Sequence, residues 1–297
     1  MDASARPRRS VLYMPGSNTR ALEKGRTLPA DALILDLEDA VAPDAKLEAR
    51  QNIVEAVGAG GYGKREIIVR TNGLDTAWGH EDLEAAAGTK ADAILLPKVE
   101  SASMVQKAAE IMEKAGAHQD MALMCMMETP KGMLRAEEIA AAHDRLSCLV
   151  MGTSDLAKDL HAEHTPQRLP FITSLGLCLL AARAHGLAIV DGVHLDLEDD
   201  EGFEAQCIQG RELGFDGKTL IHPKTIAKAN EVFAPSEKEV ERSRRIIEAH
   251  AEAQKKGQGV VVLDGKLIEN LHVENAKRLV ALSEAIADLE SAATEAR

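Results

Sequence analysis

Acidic and basic residues recur in this chain at the ends of short apolar runs, where a folded protein must pair them, solvate them or use them. The runs end in Asp36-Leu37-Glu38-Asp39, Arg70-Thr71-Asn72-Gly73, Pro97-Lys98, Glu128-Thr129-Pro130 and Gly152-Thr153-Ser154-Asp155. Side chains in a strand alternate in direction. Asp36 and Glu38 therefore share a face with Ile34, Arg70 with Ile68, and Glu128 with Met124 and Met126. Carboxylates brought together around one arginine leave a negative surplus, which burial makes costly unless a cation balances it. Glu128 and Asp155 end adjacent runs, and two oxygen ligands completed by water and substrate oxygens is how Mg2+ is usually held. Strand-end carboxylates that merely cap helices would leave the same pattern. A His/Cys cluster of the kind zinc takes is missing from the sequence.

The other polar strand ends each allow two readings. Arg70 is either a bidentate clamp for a substrate carboxylate or the partner of Asp36 or Glu38 in a buried ion pair. Lys98 could form a Schiff base with a carbonyl substrate, or simply be solvated. His222, before Pro223, reads as a turn histidine rather than a general base, and His161 and His164 as loop surface. Ser17 and Ser154 have no triad setting. Arg6, Arg8, Arg9, Arg20 and Lys24 cluster around the first run in an otherwise acidic chain. They read either as a patch at the active-site mouth for a phosphorylated or nucleotide-bearing ligand, or as a solvated N-terminal arm.

The elements that must position these residues alternate along the chain. Strands are expected over 10–14, 32–38, 66–70, 93–99, 121–128, 146–152, 187–193 and 217–222. Helices are expected over segments such as 18–28, 43–57, 101–115, 131–143, 169–185 and 202–213. Pro43, Ser101 and Pro130 mark helix starts, and Gly186 and Gly214 helix ends. Eight strand–helix units predict a TIM-type (β/α)8 barrel over residues 1–233, with its active site at the C-terminal ends of the strands. The rival, an open doubly wound sheet, predicts a glycine-rich loop after the first strand, and 14–18 contains a single glycine. Residues 234–297 form a helical extension: a helix over 236–256, a joint at 255–259, a strand over 259–263, an Asp264-Gly265 turn and a helix over 267–289. The repeated DLED at 36–39 and 196–199 has no matching flanks and is read as coincidence.

Composition narrows the class. Hydrophobic residues at 45% and charged residues at 28% suit a globular protein, and aromatics at 2% require an aliphatic core. So few aromatics, with a net charge of −13, argue against nucleic acid or an anionic membrane as partner. Cys125, Cys148, Cys178 and Cys207 sit in apolar segments without a C-x-x-C pair and read as reduced, buried thiols. With neither a secretory segment nor a membrane-spanning run, a cytoplasmic location is expected.

Taken together, RRSVLYMPGSN (8–18), LILDLEDAVAPDAK (33–46), VRTNG (69–73), LLPKVES (95–101), METPKG (127–132), MGTSDLAKDL (151–160), GFDGKTLIHP (214–223) and DGKLIE (264–269) resemble one family in order and spacing. It is the HpcH/HpaI aldolase superfamily, in its citrate lyase β-subunit-like or malyl-CoA lyase-like branch of CoA ester lyases. The resemblance implies a TIM barrel with a C-terminal lid, assembled as a homotrimer or a dimer of trimers, the lid serving a neighbouring site. It implies Glu128 and Asp155 as Mg2+ ligands, with Mn2+ a possible substitute, and Arg70 as the grip on a ketoacid carboxylate. Tyr13, Arg20 and Lys24 match positions that contact CoA or its acyl group, and Gly152, Thr153 and Ser154 would contact the small acid. Glu38 and Asp39 match acidic residues around the metal. The extension carries Glu269 where the family pattern has an acid/base aspartate, with Asp264 a possible substitute.

The activity so implied is a Mg2+-dependent carbon–carbon lyase acting on a β-hydroxyacyl-CoA such as malyl-CoA, β-methylmalyl-CoA or citramalyl-CoA. Arg70, Glu38 and Glu269 would serve the chemistry, giving an acyl-CoA and glyoxylate or pyruvate. The alternatives are a malyl-CoA thioesterase on the same site, or a citrate lyase β-type subunit needing an acyl-carrier partner. The long extension is expected to count against the last. Substrate size would be set by pocket width near Met14, Met126 and Val193.

Overall fold

The computed structural model describes residues 6–255 and 261–295. Eight parallel strands close into a barrel: β1 (Ser10–Pro15), β2 (Ala32–Asp36), β3 (Glu66–Arg70), β4 (Ala93–Leu96), β5 (Ala122–Met127), β6 (Leu146–Met151), β7 (Ala188–Asp191) and β8 (Gly217–Leu220). Neighbours in sequence are neighbours in the barrel, and β8 pairs with β1. The expected order is thus observed, with β2, β4, β7 and β8 ending two or more residues early because their last residues turn into the mouth.

Alternation along the strands makes two apolar layers. Val11, Ile34, Ile68, Leu95, Met124, Val150 and Val190 fill the lumen with Ala32, Ala93 and Ala188 between them. Leu33, Leu35, Val69, Ile94, Leu123, Leu149 and Ile189 face the helices. Branched aliphatics and small residues at a barrel's tapered interior replace the missing aromatics. Met14 belongs to the outer layer and does not bound the mouth, contrary to the expectation that it sets pocket width. All four cysteines are buried and free, as expected.

The outer helices are α1 (Thr19–Gly25), α2 (Lys46–Ala59), α3 (Gly79–Ala87), α4 (Ala102–Lys114), α5 (Pro130–Leu134), α6 (Ala136–Ala140), α7 (Thr153–Leu160), α8 (Ile172–Ala184), α9 (Asp200–Leu213) and α10 (Ile226–Phe233). The single helix expected over 131–143 is two, broken where Arg135 leaves helical geometry (φ −117°, ψ 19°). Thr129 caps α5 by accepting from the Gly132 amide, and Pro130 opens it. Gly214 ends α9 in the left-handed conformation, as expected.

The extension departs from a simple lid. α11 (Glu237–Lys255) leads to a hairpin of β9 (Val261–Leu263) and β10 (Lys266–Ile268), then to α12 (Asn270–Glu295). The joint expected around 256–259 lies outside the described residues. Asp264 and Gly265 both take positive φ, the two-residue hairpin turn an Asp-Gly pair favours. That turn creates β10, which the apolar pattern alone merged into the last helix. α12 runs beneath the barrel, at the N-terminal ends of the strands: Glu290 accepts from Arg9 Nη2 at 3.0 Å and Asp288 from Lys64 at 2.6 Å. The extension therefore does not cover its own mouth. No helix among the described residues is long and apolar enough to cross a membrane.

Candidate active site

The parallel register sets Asp36 of β2 directly beside Arg70 of β3. Arg70 Nε and Nη2 each donate to one Asp36 oxygen at 2.7 Å, and Nη1 lies 2.9 Å from Glu38 and 3.2 Å from Asp39. Of its two sequence readings, the buried ion pair is therefore realised. Tyr13 packs its ring over the guanidinium, 4.8 Å from centroid to Cζ. Burial pushes the Tyr13 hydroxyl well above its usual range, so it stays protonated beside this cluster.

Lys98 ties the remaining carboxylates together. It follows the end of β4 in the left-handed region (φ 49°), where a non-glycine residue is strained. Its amide donates to Glu128 Oε1 at 2.7 Å, its ammonium bonds Glu38, and the same ammonium lies 3.6 Å from Asp155. Burial works to lower the lysine's affinity for its proton. The bond to Glu38 and the nearby carboxylate charges outweigh it and hold the amine protonated. The ion pairs with Glu38 and Asp155 favour a charge-balancing role for this amine over the Schiff-base reading.

Glu128 is buried, and burial together with the Glu38 charge pushes its carboxyl up to about 7. Gly152 makes room for it: a Cβ there would lie 2.5 Å from both Cβ and Oε2 of Glu128. Asp155, in the first turn of α7, is held below the usual range; burial opposes this, but Lys158 and Lys98 outweigh it. Among the described residues no trio of His, Cys, Asp or Glu forms a ready-made metal cage. The fit to a divalent cation rests instead on Glu128 and Asp155, a two-carboxylate set of the kind Mg2+ completes with water and substrate oxygens. A buried carboxylate whose proton affinity is raised for want of positive charge is the donor such an ion would stabilise as the anion.

A cavity of about 330 Å3 opens at this mouth. Tyr13, Arg70, Glu128, Gly152, Thr153, Ser154 and Asp155 all line it, so most of the residues expected to meet substrate or metal come together. Met126 and Val193 line it as expected; Leu195 in the loop after β7, Thr219 within β8 and Ile221 just after that strand also do and were missed. Arg20 and Lys24 do not line it. They are exposed one turn apart on α1, and among the described residues no ion pair holds either.

Other expectations place differently. Arg8 and Arg9 precede β1 and are buried at the opposite end of the barrel, Arg8 on Glu66 at 2.6 and 2.7 Å and Arg9 on Asp31 at 2.9 Å. Arg6 pairs with Asp92 there. These arginines are neither a mouth patch nor a solvated arm. Six strand residues at about 3.3 Å each put roughly 20 Å between them and α1. Glu269 is exposed at the end of β10, outside the cavity of its own chain, and Asp264 pairs with Arg245 in the hairpin turn. His222 is a turn residue, its Nδ1 accepting from the Lys224 amide.

Comparison with known proteins covers the chain almost end to end. A (3S)-malyl-CoA thioesterase of Cereibacter sphaeroides is 55% identical over 287 residues, spanning 97% of this chain and 98% of its own. Citrate lyase subunit β of Escherichia coli is 37% identical over 284 residues, spanning 94% of each chain. The structure of CitE from Mycobacterium tuberculosis, in complex with magnesium, acetoacetate and coenzyme A, superposes with a TM-score of 0.72. It is 28% identical, covering 95% of this chain and 99% of that one.

Two expectations change. A lyase activity as the main reading is overturned by the 55% full-length similarity to a thioesterase. The extension does not separate this chain from citrate lyase β subunits either, since the alignment with one of them spans most of it. The model of the HpcH/HpaI aldolase/citrate lyase family matches residues 9–223, all eight strands with the mouth described above, and the chain belongs to that family.

Proposed function

We propose that this chain is a Mg2+-dependent thioesterase of a small hydroxy-dicarboxylic acyl-CoA, with (3S)-malyl-CoA as substrate, releasing free malate and CoA. The observation that carries the reading is the near-full-length similarity to a (3S)-malyl-CoA thioesterase. The mouth fits it: a cavity sized for a four-carbon acid, walled on one side by Met126, Val193 and Leu195 and on the other by carboxylates and Arg70.

In this reading Glu128 and Asp155 hold the cation, which when bound supplies positive charge to the substrate's oxygens. Arg70 keeps Asp36 and Glu38 in place, and its Nη1 exchanges the exposed Asp39 for the free carboxylate of the acyl group when substrate enters. The ammonium of Lys98, bound to Glu38 and 3.6 Å from Asp155, remains protonated and offsets the negative charge of the carboxylates around the cation. Water adds to the thioester carbonyl carbon, the carbon–sulfur bond breaks, and the departing thiolate takes a proton to become CoA. Arg20 and Lys24 on α1 are free to meet the phosphates of CoA.

The chain assembles with copies of itself, as a homotrimer or a dimer of trimers, and Glu269 of a neighbouring copy supplies the carboxylate that takes the proton from the attacking water. Support for this lies in the extension's position: α12 is tied beneath its own barrel, and Glu269 stands exposed away from its own mouth.

Product analysis tests the reading. Purified protein given malyl-CoA and Mg2+ should release CoA and malate in equal amounts, with release lost on adding EDTA. Glyoxylate and acetyl-CoA among the products, in place of malate, would overturn it.

A further inference from the structure

A second charge cluster lies just behind the cavity wall, in the layer between the barrel and its helices. Arg168, in the loop after α7, is buried in a left-handed conformation (φ 54°). Its Nη1 donates to both oxygens of Asp191 at 2.8 and 2.7 Å, and its Nε donates to Gln209 of α9 at 2.7 Å. Asp191, the last residue of β7, also accepts from the Gly192 amide at 2.8 Å and from Lys218 at 3.2 Å. The Lys218 ammonium donates in turn to the Gly192 carbonyl. The Gly192 residue is thus held at its amide and at its carbonyl by charged groups. Its third side is closed, because a Cβ there would lie 2.7 Å from Thr153 Oγ1 and 3.0 Å from the Met151 carbonyl.

Nothing in the barrel's architecture requires two buried cations on one carboxylate, and fully buried charges are costly unless paired. What the cluster does hold is the turn out of β7. Beyond Gly192 come Val193 and Leu195, and across from it Thr153, and all three line the cavity. We infer that Arg168 is a specificity-determining positioning residue: by locking the strained loop after α7 to Asp191, it fixes the Val193–Leu195 wall at the spacing that admits an unbranched acyl group and excludes a methyl-branched one. The inference rests on reading this cavity as the acyl site.

Arg168 touches neither Glu128 nor Asp155, so its effect falls on the fit of the acyl group. Replacing it leaves Lys218 facing Asp191 one to one, a neutral buried pair, so Arg168→Met is compatible with folding. Gln209→Met removes the acceptor of Nε and the donor to the Gln167 carbonyl, both on the same loop, and leaves the Asp191 clamp in place, giving a milder second variant.

The test is calorimetric binding of two non-hydrolysable thioether analogues of CoA, one carrying the malyl skeleton and one its methyl-branched homologue. One methyl group at a rigid apolar wall is worth about tenfold in affinity. Wild type should prefer the unbranched analogue by about that factor. Arg168→Met should bring the ratio to within about twofold, and Gln209→Met should shift it the same way by less. A wild-type ratio of one, or a wild-type ratio kept by either folded variant, would overturn the inference; if Arg168→Met does not fold, Gln209→Met decides. Binding is read without turnover, so a wild type that binds both analogues but hydrolyses no malyl-CoA counts against the proposed function alone.

Discussion

The two ends of this barrel are both dense in buried charge, and they use it in opposite ways. At the floor each charge has its complement: Arg8 meets Glu66 through two hydrogen bonds, and Arg9 meets Asp31 the same way. At the mouth Asp36, Glu38, Asp39, Glu128 and Asp155 share Arg70, Lys98 and the exposed Lys158, which leaves negative charge over. A paired set stabilises the native state, whereas an unbalanced set is suited to take up a cation. Glu66, with its arginine, is held below the ordinary carboxylate range, while Glu128 is pushed up to about 7. The opposite shifts follow from the neighbours: Glu66 faces its own arginine, and Glu128 faces the Glu38 charge.

Substitutions at the two ends should therefore fail in different currencies of measurement, rate at one and stability at the other. The largest effect is expected from Glu128→Ala, which should reduce kcat at least about 10³-fold while leaving the thermal midpoint unchanged or raised, because a buried unbalanced carboxylate is removed. Glu66→Gln at the floor should do the reverse, costing about 3–5 kcal/mol in urea unfolding by stranding Arg8, with kcat preserved in the folded fraction. Gly152→Ala should lower kcat/KM by about 10²-fold, since the added methyl displaces the Glu128 carboxylate. Next, mixing inactive Glu128→Ala and Glu269→Ala chains should restore activity to about a quarter of wild type if each site draws on two copies, and to none if it does not.

The smallest effect is in acid. Burial alone would raise the Glu66 pKa, but the Arg8 charge and hydrogen bonds outweigh it and depress it. A depressed folded-state carboxylate contributes stability that is fully present above its unfolded pKa of about 4.3 and is lost as pH falls through the folded value. Unfolding free energy of wild type should thus decline below about pH 4.5, and the decline should be shallower in Glu66→Gln. Equal slopes in the two proteins would show that Glu66 does not carry that part of the acid sensitivity.

Much of this was legible in the order of residues. Eight apolar runs with period-two alternation and intervening helices specify a barrel, and strand-end placement brings Tyr13, Arg70, Glu128 and Asp155 to one cavity. What was not legible depends on which end of an element a residue occupies. Arg8 and Arg9 are near Arg20 in sequence, yet a whole strand separates them in space. Met14 sits one residue from Tyr13 and therefore faces the helices. The Asp191–Lys218 pair was hidden for a related reason: Lys218 alternates with Leu220 on the helix-facing side, where an apolar residue is expected and only partners from the loop and β7 explain a lysine. The bond that is broken was the least legible feature. The same carboxylates and arginine suit a cleavage at carbon or at sulfur, so motifs shared across a family report the site and leave its reaction open.

The most direct measurement is turnover of malyl-CoA in water enriched in oxygen-18, with Mg2+ present, followed by mass analysis of the released acid. Hydrolysis at the thioester places one heavy oxygen in the new carboxylate of malate in the first turnover, and EDTA or Glu128→Ala abolishes the labelled product. Glyoxylate with intact acetyl-CoA, and no labelled malate, would contradict the account.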